Sequence, residues 1–119
     1  MKTKDLASAA MTVTGCSVEH LEPGWVRVID PADDAERLVR LRADIDDSGA
    51  LPCYEVSAWT ELEDDDIRIK IGVETSDTQL ERAIAWALIR LEERCHDLAW
   101  TLDHRSRSLR EIRPSLRDL

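Results

Sequence analysis

Phenylalanine is absent from this chain of 119 residues, and tyrosine occurs once. A hydrophobic core must therefore come from Leu, Ile, Val, Ala and the four tryptophans. Glycine and proline number four each, and the glycines are scattered, which excludes a Gly-rich phosphate loop. No window approaches the roughly 20 consecutive apolar residues of a membrane span. The three cysteines, Cys16, Cys53 and Cys95, are odd in number and far apart. They read as reduced thiols of a cytoplasmic protein rather than as a disulfide framework. Basic residues are outnumbered, 16 Lys and Arg against 25 Asp and Glu, for a formal charge of −9. Such a balance disfavours direct contact with nucleic acid or an anionic membrane face. No nucleophile–base–acid spacing stands out, so the chain is expected to be non-enzymatic, with no cofactor.

What is present fits one domain, since domains run to about 100–200 residues and larger architectures such as dinucleotide-binding folds or barrels need more chain. Val13-Thr14-Gly15-Cys16, preceded by Lys2 and Lys4, resembles a bacterial lipobox. The greasy stretch of a secretory signal is reduced to Leu6, Met11 and Val13, so residues 1–11 are expected to be an arm instead. The arm leads into a strand over residues 12–20. Glu22-Pro23-Gly24-Trp25 has the Pro-Gly order of a type II turn, and Trp25-Val26-Arg27-Val28-Ile29 reads as a second strand.

Asp30-Pro31, followed by Asp33 and Asp34, resembles a helix start, with Ala35, Leu38, Leu41 and Ile45 at helical spacing and Gly49 as terminator. Two period-2 runs follow: Tyr54, Val56, Ala58, Thr60 and Leu62, then Ile67, Ile69, Ile71 and Val73, on either side of an acidic turn. Together they predict an antiparallel hairpin with one buried face. Ser76 and Gln79 fit a capping box that starts a last helix. Its apolar stripe is Leu80, Ile84, Ala87, Leu88, Leu91, Cys95, Leu98 and Leu102, continued by Leu109, Ile112 and Leu116. A helix of this length outruns a domain this small, so it either breaks near residues 104–108 or packs on another chain. The expected fold is α+β, a small antiparallel sheet in the order β-β-α-β-β-α with helices on one face and a long C-terminal helix. The domain proper is expected over residues 12–104, with 105–119 as a basic helical extension.

Two constellations invite a chemical reading. Asp44, Asp46, Ser48 and Glu55, with Gly49 between them, match positions 1, 3, 5, 12 and 6 of an EF-hand calcium loop and make a calcium candidate. Its flanks, Arg40 and Ala43, are not those of an entering EF-hand helix, and no second loop follows. Cys95 and His96 are adjacent on a helix and point about 100° apart, which does not favour a shared transition metal.

Charge distribution says more. Residues 30–77 hold fifteen acids and five bases, whereas residues 105–119 hold five arginines and two acids. The acids Asp44, Asp46, Asp47, Glu63, Asp64, Asp65 and Asp66 are therefore expected to form a contact surface for a partner with a basic surface. Trp86, Ile89 and Trp100 fall opposite the core stripe of the last helix, where polar residues belong, and mark an apolar protein interface. That interface would support a homodimer through the long helix. The leading expectation is a non-catalytic binding module, an inhibitor that occupies a nucleic-acid-binding surface by mimicking phosphate charge. In size, charge and architecture the chain resembles the inhibitors that phages and mobile elements use, including anti-CRISPR proteins. The alternative is an accessory homodimer, similar in outline to bacterial secretion chaperones, and a third is a single-site calcium-responsive module.

Overall fold

A computed structural model of the chain describes the backbone of residues 2–21, 24–29, 39–64 and 67–117, and the side chains of these residues except 62–64, 67 and 102–117. Its elements are α1 (Thr3–Thr14), β1 (Ser17–Leu21), β2 (Trp25–Ile29), β3 (Val39–Asp46), β4 (Cys53–Asp64), β5 (Ile67–Asp77) and α2 (Leu80–Arg117). The fold is α+β. The five strands form one antiparallel sheet in chain order, β1-β2-β3-β4-β5, and both helices pack on one of its faces.

The order of elements differs from the expected β-β-α-β-β-α at two places. The first is the N-terminus. Residues 3–14 are a helix, so the boundary expected between residues 11 and 12 falls inside α1. Leu6, Ala10 and Val13 recur at helical spacing, Ala7 and Ala9 widen the stripe, and Leu6, Ala7, Ala9 and Ala10 are buried. Gly15 ends the helix in the left-handed region at φ 67°, its N–H donating to the Met11 carbonyl at 2.8 Å, the usual glycine stop. The lipobox-like stretch is thus the last turn of α1 and its cap, and strand pairing begins only at Ser17.

The second is the helix expected to run from Asp30 to Ile45. Residues 30–38 lie outside those described, but residues 39–46 are strand β3. Val39, Leu41, Ala43 and Ile45 alternate with Arg40, Arg42, Asp44 and Asp46, a period of 2 that prevails over the sparser helical spacing of Leu38, Leu41 and Ile45. The turn at Glu22-Pro23 also lies outside the described residues, but Gly24 has the positive φ, 80°, that the type II reading asks of it.

The β4–β5 hairpin matches expectation. Val56 pairs with Thr75, Ala58 with Val73 and Thr60 with Ile71, and all six are buried. They join Val26, Val28, Leu41 and Ala43 under the helices. α2 contributes Ala83, Ile84, Ala87 and Leu91, and the small alanines allow α1 and α2 to pack directly on each other. The expected capping box is not formed: Ser76 and Asp77 end β5 and α2 begins at Leu80. Asp77 Oδ1 accepts the Gln79 N–H at 3.0 Å just ahead of the helix, and Arg82 lies 3.6 Å from Asp77 Oδ2.

Thr75 joins sheet to helix, donating from its buried hydroxyl to the Ala83 carbonyl at 2.7 Å. Thr75→Val keeps the shape and removes this bond, and urea unfolding is expected to show a loss of about 1 kcal/mol. Thr75→Ser, which retains the donor, should keep part of that stability.

At about 1.5 Å per residue, the 38 residues of α2 reach about 57 Å. β5, at about 3.3 Å per residue, covers about 36 Å. The helix is unbroken through residues 104–108, so its C-terminal end overhangs the sheet, in keeping with a molecule 66 Å long and 33 Å across.

Candidate functional site

With both helices on one side, the other sheet face has no covering layer among the described residues. Strand alternation sends a mixed set of side chains to it. Register sets Arg27 beside Arg40, Arg40 beside Trp59, and Trp59 beside Gly72. Like charges directly opposite repel, and each arginine has an answer. Arg27 Nε lies 3.3 Å from a Glu19 carboxylate, and Arg40 stacks 4.6 Å above the Trp59 ring. Among the described residues the Arg40 Nε is buried without a hydrogen-bond partner, and the guanidinium rests on the Trp59 indole. Lys70 lies 5.3 Å from the same ring, Arg42 lies 6.0 Å from Trp25, and the two indoles meet edge to face at 6.0 Å. The middle of the open face is therefore an aromatic cluster capped by cations.

The end of the face near the β3–β4 loop is acidic. Asp44 pairs with Glu55, and Glu55 with Ser76. Among the described residues neither carboxylate has an ion-pair partner. A groove of about 540 Å³ runs from Asp44 and Glu55 across Ser57, Glu74 and Ser76, and Trp86 and Arg90 of α2 also line it. Asp46 is fully exposed and hydrogen-bonds Ser48 twice, accepting from the hydroxyl at 2.6 Å and from the N–H at 3.0 Å. These bonds, the hydroxyl's first, hold its carboxyl below the usual value, so it keeps its charge in mild acid.

The predicted contact set is divided by this geometry. Asp44, Asp46 and Asp47 sit at one end of β4 and Asp64 at the other, about 36 Å apart at strand spacing. Asp65 and Asp66 lie outside the described residues, as do the side chains of Glu63 and Asp64. What the structure does bring together is Asp44 and Trp86, one from each predicted surface, in a single groove. Trp86, Ile89 and Trp100 are exposed at 50%, 45% and 63%, as their place opposite the core stripe predicts.

The calcium loop is not formed. An EF-hand needs a helix on each side, whereas Asp44 and Asp46 belong to β3 and Glu55 to β4. Among the described residues no group of His, Cys, Asp or Glu is placed to hold a metal ion. The cluster of Trp25, Trp59, Arg40, Arg42 and Lys70 escaped sequence reasoning, because it depends on which strands are neighbours. The signal that pointed to it was the alternation of arginines through β3. Comparison with protein-family models, curated proteins and solved structures gives no match.

Proposed function

We propose that this protein is a non-catalytic binding module whose acidic groove receives a basic segment of a partner protein. The observation that carries this reading is the direct opposition of Asp44 and Glu55 on adjacent strands, with no cation paired to either among the described residues. Such a pair is unfavourable in the isolated chain. An arginine or lysine inserted between the two carboxylates relieves the repulsion. In its finer form the partner is a nucleic-acid-binding protein and the module its inhibitor. The acids at both ends of β4 then have to act together, which requires a basic channel about 36 Å long. The three free cysteines support reading the module as a cytoplasmic protein, since thiols stay reduced there. Among the described residues no helix is long and apolar enough to cross a membrane.

An accessory homodimer is the second reading, favoured by the exposed tryptophans of α2 and by the overhang of that helix.

An arginine-rich peptide titrated by calorimetry tests the groove. D44K/E55K is expected to weaken binding about tenfold. E92K/E93K, an equal change of net charge on exposed α2 residues, should weaken it about twofold or less. Equal losses in the two variants would mean that only overall charge is being read.

A further inference from the structure

β5 is the outer strand of the sheet, and among the described residues no strand pairs with its far side. It is 11 residues long, contains no proline, and has Gly72 at its centre. A long open edge of this kind is a template for another strand.

We propose that β5 pairs antiparallel with β5 of a second copy, about a two-fold axis at Gly72, joining the two sheets into one. Three observations point to a second copy rather than a foreign strand. First, the sequence of β5 complements itself. Gly72 against Gly72 overlaps the whole strand and sets Lys70 opposite Glu74 of the second copy, and Glu74 opposite its Lys70. On the helix side the same register sets Ile71 opposite Val73.

Second, the helices fit. α2 packs on β4 and β5 about equally, so its axis lies between them. Two-fold symmetry then separates the two α2 axes by about two strand spacings, or about 10 Å, at the upper end of the 8–10 Å range of packed helices. Third, the helices complement each other at the same level. Arg94 donates to the Gly72 carbonyl at 2.8 Å, which fixes the point of α2 level with the axis. Antiparallel helices centred there bring Arg90 near Asp97 of the second copy, and Trp86 within a turn of its Trp100. The exposed indoles gain cover, and each Gly72 carbonyl has a second lone pair free for the new ladder.

The interface uses Glu74 and Trp86 at the outer wall of the acidic groove and leaves Asp44 and Glu55 open. It does not depend on the proposed binding of a basic segment.

Sedimentation equilibrium of the full chain at about 10–100 µM is expected to show a dimer. K70E and E74K each place like charges opposite one another twice per dimer and should raise the dissociation constant at least about tenfold. K70E/E74K restores opposite charges and should restore the dimer, a rescue that the contact of Lys70 with Trp59 cannot supply. Circular dichroism confirms that each variant is folded. Gly72→Cys gives a second readout. A Cβ there meets only the Ala58 carbonyl and the Trp59 Cβ at 3.8 Å, and facing cysteines across an antiparallel pair lie within disulfide reach. Under an added oxidant it should cross-link, where the unmodified chain does not. A monomeric unmodified chain, single variants that remain dimeric, or a double variant that remains monomeric would each overturn the proposal.

Discussion

Leu6→Ala is expected to lower the unfolding free energy by about 3 kcal/mol, since truncating a buried leucine costs about 2–5 kcal/mol. Leu6 is 1% exposed and belongs to the same cluster as Ala83, Ile84 and Ala87 of α2. It is also the largest side chain that α1 contributes to the core. Domains of this kind are held by only about 5–15 kcal/mol, so the loss is a large share of the total. Met11→Ala, at a position of the same helix that is 50% exposed, should change stability by less than about 0.5 kcal/mol. Urea unfolding followed by far-ultraviolet circular dichroism measures both. Equal small effects would return residues 1–11 to the role of an arm.

Trp59→Ala should cost about 2 kcal/mol although the side chain is only half-buried. The substitution removes the edge-to-face contact with Trp25 and the surface on which Arg40 and Lys70 rest. Aromatic pairs contribute about 0.5–1.5 kcal/mol beyond burial, and an exposed cation over a ring about 0.5–1 kcal/mol. It also leaves the Arg40 guanidinium beside Arg27 without its indole. Trp59→Phe keeps a ring for the cations and should recover about half of the loss. If Trp59→Ala costs no more than a surface substitution, the cation–indole cluster does not support the open face.

The hairpin was legible because both of its strands alternate strictly, and burial of one face leaves a single register open to them. The inner stripe of α2 was legible for the same kind of reason, at a period of 3.6. β3 was misread where two periods overlap. Leu38, Leu41 and Ile45 satisfy a helix, and Asp30-Pro31 looks like a helix start, yet every second residue from Val39 to Ile45 is apolar. The Arg40–Trp59 and Arg42–Trp25 contacts then hold that alternation in the sheet. α1 was missed because its buried face is mostly alanine. Alanine carries strong helix propensity but a weak hydrophobic signal, and only packing against α2 shows that face to be core.

Composition and periodicity by themselves determined an α+β domain with an acidic surface, a hairpin, a long amphipathic last helix and outward-facing Trp86, Ile89 and Trp100. Those properties follow from local spacing, which a one-dimensional chain records. Adjacency was decided only in three dimensions. Strand order sets Asp44 against Glu55 and Arg40 against Trp59, places Asp44 and Asp46 at one end of β4 and the backbone of Asp64 at the other, and among the described residues leaves the outer edge of β5 open beside Arg94. Pairing between strands distant in sequence depends on which registers bury the most apolar surface together, a property of the whole sheet that no single window of sequence contains.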